Sequence, residues 1–155
     1  MSTMEIPTSF ELTTVGRIRN VDDKAWIEVD EAYREAMQGL EQFSHILVFY
    51  WFHENDTPDK RAVIKVHPCK NSDNPLTGIF ATHSPMRPNL IALTRCRIQK
   101  IEGCKIYLDQ IDAHDNSPLL DIKCYFPPEG GDVDVKTPNW AGRINRENAN
   151  ATKLK

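Results

Sequence analysis

The segment Phe43–His53 (FSHILVFYWFH) restricts most strongly how this chain can fold, because it is almost continuously apolar and aromatic. Its longest uninterrupted apolar run, Ile46–Phe52, is far shorter than the roughly 20 residues that a membrane-spanning helix needs. The length of the segment and its β-branched and aromatic content favour a buried central strand over a helix. We therefore expect a strand in the core of a protein without membrane association.

The rest of the chain is dominated by short segments that alternate apolar and polar residues between turn residues. One helix is predicted at Glu31–Leu40, with Asp30 as its N-cap. Strands and helices do not alternate, so a doubly wound sheet is disfavoured and an all-β barrel or sandwich of about seven or eight strands is predicted. Besides a short strand that starts at Gly78, the further predicted strands are Phe10–Arg19, Ala25–Val29, Arg61–His67, Leu90–Gln99, Lys105–Ile111 and Pro118–Tyr125.

The length of 155 residues suits one domain, which we place at residues 1–143, with a mobile C-terminal tail at residues 144–155. The net charge of −3 argues against a tight, non-specific nucleic-acid binder, so an RNA partner would have to contact a local patch. The N-terminus has no basic region followed by an apolar stretch, and we therefore expect a cytoplasmic location.

Several common site motifs are absent from the sequence. The seven glycines form neither of the usual nucleotide-phosphate loops, and the four cysteines include no CxxC pair. The five histidines form no HxH or HxxxH pair, so we expect no metal site, although a metal-dependent β-barrel enzyme remains an alternative. These absences exclude the best-known cofactor loops and leave the polar loops as the candidate sites.

The loop Phe80–Asn89 (FATHSPMRPN) contains two prolines that stiffen its backbone. His83, Arg87 and Asn89 would then present polar groups at a low ordering cost, as in many binding loops. A rigid connection between two strands, with Arg87 paired to a carboxylate, explains the same residues equally well.

The segment Leu108–Pro127 contains a cluster of aspartates around His114. Carboxylates here would accept hydrogen bonds from an amine or a ribose, or neutralise a cationic ligand. From the residues alone, a solvated turn in which Asp and Asn side chains bond their own backbone is the better interpretation.

Three long motifs resemble those of the TsaA-like (TrmO, YaeB-like) family. EQFSHILVFYWFH is similar to the family's G-F-S-H-I-W-V-L-x-W-F-H strand, and GIFATHSPMRPNLIALTRCRI is similar to its G-V-F-A-T-R-S-P-x-R-P-N-P-I-G-L segment. IDAHDNSPLLDIKCYFP is similar to L-D-x-x-D-G-T-P-V-L-D-I-K-P-Y-x-P. The motifs occur in the family's order, and the similarity covers most of residues 10–143.

The resemblance implies a YaeB-like β-barrel with one or two short helices that binds S-adenosylmethionine and works as a homodimer. It further implies a methyltransferase that modifies N6 of an adenosine beside a tRNA anticodon. An alternative is a barrel that binds S-adenosylmethionine or a related adenosine ligand without catalysis.

The resemblance also implies site residues. Matching motif positions gives the cofactor contacts as His53, Glu54, His83, Leu93, Asp109, Gln110, Ile111 and Asp112. The candidate catalytic residues are Arg87, Asn89 and Asp115, with Asp115 or Asp112 expected to line the reaction site. The sequence departs from the family pattern at several positions. Among them, His83 stands where the family has Arg, and Asn20–Asp23 follows Arg19 where the family has a P-R-Q loop.

Overall fold

The computed structural model describes residues 5–131 and 134–142, and it confirms the all-β fold class. Six strands form a closed antiparallel barrel in the order β1-β2-β7-β6-β3-β8, and β4 and β5 form a separate two-stranded ribbon. The strands are β1 Gly16–Val21, β2 Lys24–Val29, β3 His45–Trp51, β4 Lys65–Val66, β5 Thr77–Gly78, β6 Ile91–Glu102, β7 Lys105–Leu108 and β8 Ser117–Cys124.

The directions of the strands decide which loops meet. Because every neighbouring pair in the barrel is antiparallel, β1, β3 and β7 run one way and β2, β6 and β8 run the other. We call the end where β1, β3 and β7 finish the upper rim. Three connections lie there: the turn at residues 22–23, the long excursion at residues 52–90 and the loop at residues 109–116.

Alternation along each strand fills the barrel with branched aliphatic side chains. In β2 and β3, every second residue is buried, as the sequence pattern predicts. Ile18, Ile27, Ile46 and Ile106 are fully buried. Burying each of these side chains contributes about 1.5–3 kcal/mol to folding. The interior is therefore packed, and a ligand site has to lie at a rim.

The segment predicted as a helix at Glu31–Leu40 forms two short 3-10 turns instead, Glu31–Met37 and Leu40–Gln42. The Asp30 side chain makes no capping hydrogen bond, and neither turn buries a residue. Gly39, at φ 90°, separates the turns. Only Met37 and Leu40 of this segment pack against the core, and neither is fully buried, so a regular α-helix has little to stabilise it here.

The other segments differ from prediction mainly at their ends. Residues 10–15 precede β1 without forming a strand, and the predicted strand Arg61–His67 contains only Lys65–Val66. The preceding residues form α1, Pro58–Arg61. The remaining 3-10 turns are His53–Asn55, Pro68–Lys70 and Ile79–Ala81.

The lower end of the barrel is closed by aromatic side chains. The Phe43 ring contacts the rings of Phe126 and Trp140 edge-on, at centroid distances of 5.7 and 5.9 Å. Ser44 also bonds the backbone of Lys136, which ties residues 134–142 to β3. The tail predicted at residues 144–155 lies outside the described residues. Within the described ranges, no helix has the length and apolarity needed to cross a membrane.

Candidate functional site

A cleft of about 610 Å³ lies at the upper rim. Its walls come from the end of β3, the start of β6, the excursion and the loop at residues 109–116. A cleft of this volume is in the range that binds small molecules and cofactors. It is lined by Tyr50, Phe52, His53, Glu54, Asn55, His83, Pro85, Arg87, Ile91, Ala92, Leu93, Thr94, Arg95, Asp112, His114 and Ser117.

The proline loop that forms one wall is held by its own polar groups. Arg87 Nη1 donates to the carbonyl oxygens of Thr82 (3.2 Å) and Ser84 (3.3 Å). The Thr82 hydroxyl donates to the Ile79 carbonyl and accepts from the Ser84 N–H. Arg87 therefore stabilises the loop while its side chain forms part of the cleft surface.

Two side chains meet across the cleft. His114 Nε2 lies 3.3 Å from Glu54 Oε2, and both side chains are exposed. An exposed pair of this kind adds little to folding stability. Its position matters more for ligand binding, because it brings a carboxylate from the excursion and an imidazole from the loop at residues 109–116 together at the surface of the cleft.

Tyr50 joins β3 to the loop at residues 109–116 beneath the cleft. Its hydroxyl donates to the Asp112 carbonyl oxygen (3.0 Å) and lies 3.2 Å from the Thr94 hydroxyl. Burial raises the pKa of the Tyr50 phenol above its ordinary value of 10. Tyr50 is therefore neutral at physiological pH and remains a hydrogen-bond donor that fixes Asp112.

The far side of the same loop is fastened to β1. Asn20 Nδ2 donates to the carbonyl oxygens of Ile111 (3.0 Å) and Ala113 (2.8 Å). Asp115 accepts from Arg19 Nε (2.8 Å) and from the Asn20 N–H (3.0 Å). The Arg19 guanidinium, followed by the Asn20 N–H, lowers the pKa of the Asp115 carboxyl to about 2.

The structure brings together part of the predicted site. Asp109 accepts hydrogen bonds from the N–H groups of Arg97 and Gln110 at the end of β7, and Ile111 is buried under the loop. The cleft wall includes His53, Glu54, His83, Arg87, Leu93 and Asp112, whereas Asn89, Asp109, Gln110, Ile111 and Asp115 lie outside it.

Sequence reasoning missed several lining residues, among them Tyr50 and Thr94, and it noted His114 in the aspartate segment without assigning it to the site. Tyr50 has the alternation of a core residue, so its sequence position gives no signal of a rim role. Asn20 was also missed, because its contact with the loop follows only from closure of the barrel. Within residues 5–131 and 134–142, no three His, Cys, Asp or Glu side chains are grouped as metal ligands would be.

The fold and the cleft define a class of protein: a small closed β-barrel whose candidate ligand site lies at one rim, outside the packed interior. The chain belongs to the tRNA-methyltransferase O N-terminal domain family, whose sequence profile matches residues 13–129. This match confirms the resemblance carried by the three motifs.

Two archaeal relatives match over nearly their whole length. The chain is 45% identical to a probable S-adenosyl-L-methionine-binding protein of Pyrococcus horikoshii, over 88% of this chain and 96% of the relative. A second archaeal protein, a probable S-adenosyl-L-methionine-binding protein of Methanocaldococcus jannaschii, is 38% identical over 75% of this chain and 92% of its own length.

A mammalian relative matches over part of its length. The chain is 42% identical to a mouse tRNA (adenine(37)-N6)-methyltransferase, over 72% of this chain and 25% of that protein.

Solved structures share the barrel. A crystal structure of TrmO superposes with a TM-score of 0.61 at 28% identity, over 82% of this chain and 62% of that one. TrmO from Pseudomonas aeruginosa superposes with the same TM-score at 26% identity, over 82% of this chain and 60% of that one. This chain therefore spans less than two thirds of the length of these two structures.

Proposed function

We propose that this chain is an S-adenosylmethionine-dependent methyltransferase. The observation that carries the proposal is the cleft at the upper rim, where parts of all three family motifs form one surface. The relatives named for S-adenosylmethionine binding and for tRNA methylation support the choice of cofactor and reaction class. We assign residues 1–143 to the catalytic domain.

The chemistry of the lining residues fits this cofactor. S-adenosylmethionine has a sulfonium cation, an amino-acid end and an adenosine, and it has no phosphate that would need a glycine loop. Aromatic faces and carboxylates suit a cation, and the cleft offers Tyr50, Phe52, Glu54 and Asp112. When bound, the cofactor supplies a methyl group activated by the positive sulfur.

The chain's own part in the reaction is positioning and proton acceptance. The two walls fix the acceptor and the cofactor in a common geometry, which is a large share of the work in a bimolecular transfer. An exocyclic amine loses a proton when it is methylated, and an acceptor must stand beside it. We assign that acceptor to Asp112, because Asp115 is already engaged by Arg19 and Asn20.

The proposed substrate is N6 of an adenosine near a tRNA anticodon. The mouse relative, named for this reaction, supports that choice. The cleft opens at the rim, so the base would have to be splayed out of the RNA to reach it, as single-stranded loops permit. A cytoplasmic location, where tRNA is available, belongs to the same proposal.

A non-catalytic S-adenosylmethionine-binding barrel is the second candidate. The β1–β2 connection favours it, since Asp22 and Asp23, at φ 50° and 60°, form a two-residue turn. The family's P-R-Q loop therefore has no counterpart at this edge of the upper rim. A ligand site with one wall shortened would retain binding more readily than catalysis.

We also propose that the chain forms a homodimer. Ile91 and Leu93, on the outer face of β6, are 42% and 53% exposed. They pair with Trp51 and Phe49 of β3, so the four side chains make one apolar patch that continues into the cleft, whose lining includes Ile91 and Leu93. Apolar patches of this kind are typical of protein interfaces.

The test is calorimetric titration with S-adenosylmethionine, followed by transfer of labelled methyl to tRNA. Asp112→Ala is expected to weaken cofactor binding at least tenfold. Asp121→Ala is the matched control, because this exposed carboxylate lies on β8 and bonds the N–H of Ile122. Binding without transfer to any tRNA would favour the second candidate, and no binding at millimolar cofactor would contradict both.

A further inference from the structure

The N-terminal arm, residues 5–14, has the pattern of a strand without the partner that a strand needs. Phe10 and Leu12 occupy alternate positions, which places them on one face of an extended chain, and Ile6 lies beyond a bend at Thr8. Ile6, Phe10 and Leu12 are 83%, 76% and 59% exposed, and the arm belongs to no strand or helix of the structure. Two large apolar side chains on one uncovered face, with Ile6 also exposed, indicate a surface that binds a partner.

The β4–β5 ribbon has free strand edges, which an additional strand could pair with. Its two strands pair only with each other among the described residues, so each leaves one edge without a neighbour. The closed barrel offers no such edge. An apolar groove of about 310 Å³ runs beside the ribbon, lined by Ile64, Gly78, Ile79, Phe80, Ala81 and Pro88.

The groove is open to solvent on large apolar side chains. Phe80 is 87% exposed and Ile64 is 67% exposed, although Ile79 at its base is buried. A strand edge next to an apolar groove is the arrangement that accepts an added strand: the backbone edge bonds the strand and the groove takes alternate side chains. In the arm, the apolar side chains Phe10 and Leu12 occupy alternate positions, as this mode of binding requires.

Charge favours the same pairing. The arm contains Glu5 and Glu11 and no basic residue. Residues 60–78 contain four Lys or Arg residues and one acidic residue, Asp73, and Arg61 among them is paired with Asp56. Oppositely charged surfaces speed encounter and fix register between partners.

The arm does not cover the groove of its own chain in this structure, since Phe10, Leu12 and the Phe80 side chain in the groove are all exposed. β1 and β3 run in the same direction, so the arm leaves the barrel at the lower end, whereas the ribbon follows β3 at the upper rim. At about 3.3 Å per residue, Leu12 lies within about 10 Å of Val15, and the six residues of β1 span about 20 Å. An arm that leaves the barrel at the lower end and stays exposed leaves the groove free for a second copy.

We propose that the arm of one copy binds the ribbon of a second copy as an added β-strand, with Phe10 and Leu12 in the groove. Two copies related by a two-fold axis make this contact reciprocally, so one surface pair closes the dimer. The arm of one subunit then lies near the proline loop of the other, beside the candidate site. In this proposal the arm contact, and not the patch at Ile91 and Leu93, holds the two copies together, and it does not depend on the proposed reaction.

Amide hydrogen exchange of the full chain at tens of micromolar tests the contact directly. The N–H groups of residues 9–12 are expected to exchange at least tenfold more slowly than in an unstructured peptide. Phe80→Asp is expected to abolish this protection, although Phe80 is not part of the arm. Thr13→Asp, on the polar face of the arm, is the matched control and is expected to retain it.

Light scattering supplies the second measurement. Phe10→Asp and Phe80→Asp are each expected to be monomeric, and an equimolar mixture is expected to regain dimer, because one intact arm then meets one intact groove. A monomeric wild type, an unprotected arm in a dimeric wild type, or a mixture that stays monomeric would each overturn the proposal. Neither Phe10 nor Phe80 lines the cleft, so cofactor titration of the same samples tests the proposed function separately.

Discussion

Asp112 and Asp115 stand three residues apart in one loop, and the barrel gives them different surroundings. Asp112 is exposed and faces the cleft. Asp115 is turned toward β1, where Arg19 and the Asn20 N–H hold it. The sequence presents both as members of one acidic cluster, so only the register of β1 against β8 distinguishes a ligand-facing carboxylate from a structural one.

The lowered pKa of Asp115, about 2 against an ordinary value of 3.8, makes folding stability depend on pH. A group with a depressed folded-state pKa contributes stability above its unfolded pKa and loses that contribution as pH falls through the folded value. Asp115→Asn is therefore expected to lower stability at pH 7, and the deficit should shrink between about pH 4 and pH 2.

Urea unfolding of wild type and Asp115→Asn at several pH values measures this deficit. Asp109→Asn is a suitable control, since Asp109 bonds only backbone N–H groups among the described contacts. A deficit that stays constant from pH 7 to pH 2 would show that the Arg19 pair does not carry the effect.

The loop at residues 109–116 depends on a contact from another element. Asn20→Ala removes the Nδ2 group and with it both hydrogen bonds to the Ile111 and Ala113 carbonyls. We expect a loss of about 1–3 kcal/mol in unfolding free energy, together with weaker cofactor binding, because Asp112 lies between those two residues. Denaturant unfolding and calorimetry measure the two effects, and Gln99→Ala on the exposed side of β6 is the control. Unchanged cofactor affinity would show that the loop holds Asp112 without Asn20.

The β1–β2 pair leaves no room at Gly16. A Cβ there would collide with the carbonyl oxygen of Glu28 on the neighbouring strand. Gly16→Ala is expected to destabilise the barrel by more than about 2 kcal/mol, because the clash is with backbone that cannot move aside. Thermal unfolding measures the loss. Gly78→Ala, with no atom within 4 Å of its Cβ position, should change stability little, and equal effects of the two changes would contradict the argument.

Sequence patterns predicted the elements unevenly, for physical reasons. Strands with one buried and one outer face, such as β2 and β3, were predicted within about two residues because alternation records burial directly. The two-residue strands of the ribbon are too short to show alternation. The Glu31–Met37 turn has the charges of a helix start, and its lack of a buried face appears only in the folded chain.

The strand order explains why the site was predicted only in part. The motifs in residues 43–53, 80–89 and 109–125 meet because β3, β6 and β8 are neighbours in the barrel, although β6 and β8 are not consecutive with β3 in sequence. The family motifs therefore predicted most of the lining residues in the excursion, and Asp112 in the loop at residues 109–116. Tyr50 and Asn20 contact the loop at residues 109–116 because of the strand register, which cannot be read from the sequence.

Cofactor binding should be visible in the stability of the whole molecule. A ligand that binds only the folded state stabilises it by about 2.7 kcal/mol at a hundred times its dissociation constant. For a domain of this size that corresponds to a rise of about 5–10 °C in melting temperature. Thermal scans with S-adenosylmethionine measure the rise, with Asp112→Ala as the variant that loses it. An equal rise in the variant would place the cofactor elsewhere.

The position of β8 in the barrel also has a consequence for how the chain folds. β8 pairs with both β1 and β3, and Ile18 meets Ser117 across the closing seam. The hairpins of β1 with β2 and of β6 with β7 are local, whereas this seam joins the two most distant strands of the barrel. Contacts between distant segments slow folding, since the intervening chain must be ordered first. A growing chain therefore cannot complete the barrel on the ribosome until β8 has emerged.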